Sequence, residues 1–241
     1  MFLFSEPPPS KYDVNFKFDR FPVRIHPFFW LIAALITWVQ GNLAATVVGI
    51  ACVALSILVH EYGHAAMARK YGCRNVRMLL HGMGGLAMYN GRPKPLESIV
   101  ISLAGPGAGF LLGGVIFVLF RVLELDPGNY LMHHAVSLLL FFNVVWGLLN
   151  LVPLYPLDGG QVSMTFLQMK MGHRGRQLAL KISIATGIGL GLLAVMAGQI
   201  FLAMFAGMFA WENWQMMQRG GPGGGGFSAR EPWQKGSDWW R

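Results

Sequence analysis

Residues 43–67 read LAATVVGIACVALSILVHEYGHAAM, an apolar run that carries the pentapeptide HEYGH near its end. No Asp, Glu, Lys or Arg occurs in residues 25–60, so the run predicts a helix within a membrane. Side chains four residues apart share one face of a helix, which places the imidazoles of His60 and His64 side by side. The two imidazoles can share one zinc ion, and Glu61 then lies where it can take a proton from a zinc-bound water.

The composition is that of a membrane protein. Of the 241 residues, 54% are hydrophobic and 12% are charged, about half the charged fraction of a soluble domain. The apolar residues are concentrated in runs of about 20 residues, the length that crosses a bilayer as a helix. The net charge of +8 is typical of basic cytoplasmic loops, so we expect a lipid bilayer as partner and no nucleic acid.

The uncharged runs predict an all-α, polytopic (multi-pass) membrane domain over residues 25–217. We expect about six transmembrane helices, at residues 25–41, 43–67, 99–121, 135–157, 178–196 and 199–216. With six spans, all of the 19 Lys and Arg residues except Arg121 lie on one side, whereas five spans would move the C-terminal basic residues to the other. The positive-inside rule therefore favours six spans with both termini cytosolic, and we expect the inner (plasma) membrane of the cell.

Three segments differ from this pattern. Residues 1–24 are polar and proline-bearing and predict a cytosolic lead-in, while residues 218–241 predict a flexible Gly-rich tail. Residues 78–89, MLLHGMGGLAMY, are too short to cross a membrane, and their glycines predict a short re-entrant loop like a β-hairpin. Such backbone is tolerated at membrane depth only where it lines a cavity walled by protein.

A second polar stretch interrupts a charge-free run. Residues 150–160 read NLVPLYPLDGG, and the two prolines are expected to unwind a helix there. Gly159 and Gly160 are expected to let the backbone turn as Asp158 reaches a partner.

Two carboxylates, Glu61 inside span 43–67 and Asp158 directly after span 135–157, lie at membrane depth beside the two unusual motifs. A charged group at that depth costs a few kcal/mol and is a functional hypothesis by default. One zinc ion per chain accounts for both residues. His60, His64 and Asp158 would supply three ligands and leave the fourth position for water, as in catalytic zinc sites. The pKa of that water would be about 7, and Glu61 would act as general base.

The chain resembles the site-2 protease family of intramembrane zinc metallopeptidases (peptidase family M50) over residues 23–215. The resemblance lies in four stretches that occur in the family's order: HEYGHAAMARKYG at 60–72, GMGGLA at 82–87, AGPG at 104–107 and NLVPLYPLDGG at 150–160. It implies His60, His64 and Asp158 as zinc ligands and Glu61 as catalytic base. It also implies a catalytic role for Asn150, near the substrate or the developing oxyanion.

The resemblance implies an α-helical metalloendopeptidase that cuts transmembrane segments of other membrane proteins, as in regulated intramembrane proteolysis. By analogy, the loop at 78–89 would hold an unwound substrate as an added strand. We expect the small six-span type of this family, without a PDZ or CBS domain. His81 lies in the same loop, and we expect it to make a hydrogen bond there rather than to bind zinc.

Other functions use the same residues. A catalytically silent zinc-containing protein could bind transmembrane clients, although its usual sign is the loss of the glutamate or of a ligand, and all four residues are present. A zinc transporter would need polar groups along a path across the membrane, whereas the deep ionisable cluster lies near one face. The ligands are equally compatible with a zinc hydrolase of a lipid or lipid-linked peptide, which the family resemblance disfavours.

Overall fold

The computed structural model describes residues 6–123 and 128–219. Its residues divide into two compact units. Within the described residues, the first unit holds 6–93, 104–123 and 128–148, and the second unit holds 94–103 and 149–219. The protein is mostly helical, with one small β-sheet.

The sheet belongs to the first unit. Its strands lie in the order β1 (Val14–Phe18), β2 (Phe21–Ile25), β3 (Arg74–His81) and β4 (Gly84–Asn90). The β1–β2 and β3–β4 pairs are antiparallel hairpins, whereas β2 and β3 are parallel with Val23 opposite Met78. A parallel pair needs a long crossover, and two helices supply it. The hairpin predicted at 78–89 is thus present, as the larger part of β3 and β4.

Helix α1 (Pro27–Ile36) follows β2 directly. Proline occupies its first turn, and His26 caps it by accepting a hydrogen bond from the Phe28 N–H at 3.3 Å. The hydroxyl of Thr37 closes the last turn by donating to the Ala33 carbonyl at 2.8 Å. Ten residues of helix extend about 15 Å, half the thickness of the hydrocarbon core. Only part of the first predicted span, 25–41, is therefore helical, because strand β2 directly precedes the helix and Thr37 caps its C-terminal end.

Helix α2 (Leu43–Lys70) is the longest helix among the described residues. The side chain of Asn42 accepts a hydrogen bond from the Ala45 N–H at 3.0 Å and caps its first turn. The 28 residues extend about 42 Å, so the helix continues three residues beyond the predicted span and carries the HEYGH pentapeptide within a regular helix.

Three more helical segments contribute to the first unit. Helix α3 (Pro95–Phe117) continues as a π-helical turn at Val118–Val122, and its residues from 104 onward belong to this unit. Helix α4 (Tyr130–Leu140) continues through a second π-helical turn, Phe141–Val145, into α5 (Trp146–Asn150).

The second unit is built from α6 (Asp158–Met171), α7 (His173–Met196) and α8 (Ile200–Arg219). Helices α7 and α8 form a hairpin around small residues. A Cβ on Gly187 would lie 3.0 Å from both the Ala206 carbonyl oxygen and the Ala210 methyl group. The buried cluster of Met164, Ala179 and Leu180 joins α6 to α7.

Four helices are long and apolar enough to cross a membrane, namely Leu43–Lys70, Pro95–Phe120, Tyr130–Asn150 and His173–Met196. The prediction of a helical membrane protein is confirmed at this level, whereas six spans are not found among the described residues. Helix α1 is apolar but has only ten residues. Helix α8 has 20 residues, but polar side chains in its second half, from Glu212 to Arg219, lower its hydropathy.

The described part of the predicted lead-in, residues 6–24, belongs to the first unit and contributes to its sheet. Residues from Val14 onward form the first two strands, and the carboxylate of Glu6 pairs with Arg24 at 3.3 Å and with Arg77 at 3.4 Å. Both guanidinium groups are buried, and buried charges need such partners. Of the predicted tail at 218–241, only residues 218 and 219 belong to the described part of the chain.

Candidate metal centre

Two imidazoles on α2 face one another. The Nε2 atoms of His60 and His64 lie 3.1 Å apart, and their ring centroids lie 4.8 Å apart. Two nitrogen ligands at about 2.0–2.1 Å from a tetrahedral zinc ion lie about 3.3 Å from each other. The two side chains therefore present their nitrogens at the separation that one zinc ion requires.

Gly105 on α3 faces the same two nitrogens. A Cβ at this position would overlap the Nε2 atom of His64 and lie 2.8 Å from the Nε2 atom of His60. Gly63 allows the helices this approach, because a Cβ there would overlap the Ala104 carbonyl group. The space in front of the imidazole pair thus exists only because residue 105 has no side chain, which gives a physical reason for the AGPG stretch.

Glu61 is the buried carboxylate beside this pair, with 5% of its surface exposed. Its carboxyl group lies against β4, since a Cβ on Gly85 would overlap Glu61 Oε1 and Cγ. The β3–β4 hairpin thus forms one wall around the carboxylate. A glycine at this position of the strand is required by that contact.

A buried hydrogen bond anchors α2 one turn before His60. The Nδ2 atom of Asn143 donates to the Ser56 hydroxyl at 2.8 Å and to the Leu139 carbonyl at 2.8 Å. Gly109 on α3 packs against Asn143, and a Cβ there would lie 3.3 Å from the Asn143 carbonyl oxygen. Asn143 belongs to none of the motifs noted in the sequence, although an amide within a charge-free run is a polar group that needs a partner.

Asp158 and Asn150 lie in the second unit. Asp158 is the first residue of α6 and is buried, whereas Asn150 ends α5 and is half-buried. An irregular segment, residues 151–157, joins the two helices, as the prolines of NLVPLYPLDGG predicted.

The glycines after Asp158 serve a different purpose from the one expected. Neither Gly159 nor Gly160 has a positive φ, so backbone turning does not require them. A Cβ on Gly159 would overlap the Leu151 carbonyl group, and a Cβ on Gly160 would overlap the backbone nitrogen of Tyr155. They are needed because the first turn of α6 packs directly on the backbone of the preceding segment.

His81 ends β3 and makes a hydrogen bond within the hairpin. Its Nδ1 atom accepts from the Met83 N–H at 3.2 Å, as expected for a loop histidine. Burial, with the nearby charges of His26 and Arg24, lowers the pKa of His81 to about 4. The side chain is therefore neutral at pH 7.

The chain is similar to known proteases over most of its length. The family model described as peptidase family M50 matches residues 48–128 and 126–194. The zinc metalloprotease MJ0392 of Methanocaldococcus jannaschii is 30% identical over 185 residues, which cover 76% of this chain and 52% of that protein. Stage IV sporulation protein FB of Bacillus subtilis is 31% identical over 173 residues, covering 70% of this chain and 56% of that protein.

A solved structure has the same fold. The site-2 protease from Methanocaldococcus jannaschii superposes with a TM-score of 0.61 and 25% sequence identity, covering 86% of this chain and 96% of that one. The chain spans about half the length of the curated relatives it matches.

Proposed function

Because this chain belongs to peptidase family M50, we propose that it is an intramembrane zinc metalloprotease. It hydrolyses peptide bonds in or near the transmembrane segments of other membrane proteins. The observation that carries this proposal is the pair of imidazole nitrogens 3.1 Å apart on α2, immediately beside the buried carboxylate of Glu61.

One zinc ion per chain binds to His60, His64 and Asp158. The separation of the two Nε2 atoms and the clearance left by Gly105 support the first two ligands. The family's NLVPLYPLDGG stretch and the burial of Asp158 support the third. When bound, zinc supplies Lewis-acid activation of water at neutral pH.

Glu61 is the general base. It takes the proton from the attacking water and later gives it to the leaving amine. The wall that Gly85 forms against its carboxyl group limits the orientations of the side chain, which holds the carboxylate ready for both proton transfers. Asn150 contacts the substrate near the scissile carbonyl and stabilises the oxyanion that develops there.

Strand β4 is the last strand of the sheet and offers its outer edge to a substrate. An extended peptide added to this edge would pass Gly85 and therefore the carboxyl group of Glu61. Unwinding the substrate helix in this way exposes a peptide bond that helix geometry otherwise shields.

The protein is an integral membrane protein, and we propose six crossings in the inner membrane with both termini cytosolic. Beyond the four long helices, α1 and α8 carry exposed apolar side chains such as Leu35 (66%) and Phe201 (81%), which lipid would cover. Reporter domains fused after Gly41 and after Gly198 should both lie outside the cytosol, and a cytosolic reporter at either point would contradict six spans.

Purified protein in detergent tests the function. It should contain about one zinc per chain and cleave members of a panel of single-span substrates. Zinc without cleavage of any member would favour the catalytically silent, client-binding alternative. A folded protein without zinc would overturn the proposal at its first step.

A further inference from the structure

The segment that leads to Asp158 is irregular backbone in a membrane protein. Residues 151–157 lie outside any helix or strand, and the prolines at 153 and 156 keep them so. The N–H groups of residues 152, 154 and 157 bond to nearby backbone carbonyls, and lipid would offer no partner to other backbone groups there. Within the second unit, two side chains from α7 and α8 bind the N–H and C=O of Tyr155 and the C=O of Pro153.

Ser183 on α7 binds two backbone groups of the segment. Its hydroxyl oxygen accepts a hydrogen bond from the Tyr155 N–H at 3.1 Å. The same hydroxyl donates to the Pro153 carbonyl at 3.3 Å. Ser183 is fully buried, with 0% of its surface exposed, so both bonds are shielded from solvent.

Asn213 on α8 binds the carbonyl group of Tyr155, the residue whose N–H donates to Ser183. Its Nδ2 atom donates to the Tyr155 carbonyl at 2.6 Å and to the Phe209 carbonyl at 2.7 Å. Because both partners are acceptors, the amide orientation is fixed and both of its N–H groups are used. Asn213 is also 0% exposed. Tyr155 is thus held through its N–H by one helix and through its C=O by the other.

The position of Tyr155 in turn affects the position of Asp158, because their backbones are connected through direct packing. Gly160, two residues after Asp158, has no room for a Cβ because the backbone of Leu154 and Tyr155 lies against it. The Leu154 side chain is buried against α7, where a Cβ on Gly187 would lie 3.2 Å from Leu154 Cδ1. A shift of Tyr155 would therefore move the first turn of α6, which carries the Asp158 carboxylate.

We propose that Ser183 and Asn213 are positioning residues that hold the Asp158 carboxylate in place as a zinc ligand. The inference rests on the proposed function and deepens it. It assigns a specific task to the α7–α8 hairpin, which carries none of the residues of the HEYGH and NLVPLYPLDGG stretches. Residues that orient a metal ligand typically change metal affinity by about 10- to 100-fold when they are replaced.

Zinc affinity of the full chain in detergent, measured by competition with a chelator, tests this role. Asn213→Asp keeps the shape of the side chain but places carboxylate oxygens against two carbonyl oxygens. Ser183→Ala removes the hydroxyl and is the milder variant. Each should lower zinc affinity about 10- to 100-fold, and Ser183→Thr, which restores a hydroxyl, should recover affinity relative to Ser183→Ala.

Two comparisons separate positioning from a general loss of stability. Ala206→Gly removes a buried methyl group of α8 that lies near Gly191 of α7 and makes no hydrogen bond to the segment, so it should lower the melting temperature and leave zinc affinity unchanged. Asn213→Asp should weaken zinc binding in the wild-type background and have no further effect in an Asp158→Ala background, because it acts through Asp158.

Unchanged zinc affinity in Asn213→Asp and Ser183→Ala would overturn the positioning role alone, as would an equal loss in Ala206→Gly. Unchanged affinity in Asp158→Ala would instead remove Asp158 from the ligand set. A wild-type chain that binds no zinc would overturn the proposed function and the role of both residues with it.

Discussion

The backbone of Gly85 in β4 lies directly against the carboxyl group of Glu61 on α2, so closely that a Cβ would overlap Glu61 Oε1. The two residues are 24 positions apart in the sequence, and the β3–β4 hairpin brings them together. The contact joins the edge strand proposed to bind substrate to the proposed catalytic base. The contact requires a glycine at position 85, a requirement that the sequence alone, with several glycines in this loop, does not reveal.

Gly85→Ala should abolish most cleavage while zinc content stays at the wild-type level. The added methyl group displaces the Glu61 carboxylate, and a displacement of about 1 Å can cost about 100-fold in rate. Gly82→Ala in the same hairpin is the matched control, since its Cβ would meet only ordinary contacts at 3.4 Å. Equal cleavage rates in the two variants, measured on one model substrate, would contradict the role of this contact.

Gly105→Ala should reduce zinc content instead. Its methyl group would overlap the Nε2 atom of His64, so the imidazole pair must separate and zinc affinity should fall at least about tenfold. The added Cβ of Gly107→Ala, on the same helix, would face open space with nothing within 4 Å. This control variant should therefore retain its zinc. Metal analysis of both purified variants checks this, and full zinc in Gly105→Ala would refute it.

The burial of His81 predicts a pH dependence of stability. Its pKa is about 4 in the folded protein and about 6.5 in the unfolded chain. Between these values the unfolded state binds more protons, so stability falls as the pH falls from about 6.5 to about 4 and is constant above this window. At pH 5 the loss reaches about 2 kcal/mol.

His81→Asn isolates this effect. Its side-chain oxygen can still accept from the Met83 N–H, but it does not titrate. The melting temperature of the wild type should therefore fall more between pH 7 and pH 5 than that of His81→Asn. Parallel curves for the two proteins would show that His81 does not carry the dependence.

The parts of the site that sequence alone predicts are local. The four-residue spacing of His60 and His64 predicted adjacent imidazoles, and their Nε2 atoms lie 3.1 Å apart. The hairpin around residues 78–89 was predicted from its glycines and its alternating pattern, and it is present as β3 and β4. Asp158 was singled out as a carboxylate at membrane depth, whereas the role of Asn150 came only from the family's motif, because no local spacing relates either residue to His60.

Non-local pairing accounts for what the sequence did not reveal. Strand β2 pairs with β3 across about 50 residues, so the sheet could not be recognised from the polar composition of residues 1–24. Ser183 and Asn213 belong to no recognisable motif, and their partner is a segment 28 to 58 residues away. Their role is apparent only from the structure, in which the non-helical backbone at Tyr155 requires both a hydrogen-bond acceptor and a donor.

The most direct measurement compares wild-type protein with Glu61→Gln in detergent, recording zinc content and cleavage of the same single-span substrate. Glutamine keeps the size of the side chain but cannot accept the proton from water. We expect about one zinc per chain in both proteins and a cleavage rate that is about 100-fold or more lower in the variant than in the wild type. Cleavage at the wild-type rate by zinc-loaded Glu61→Gln would contradict the central claim that Glu61 is the catalytic base.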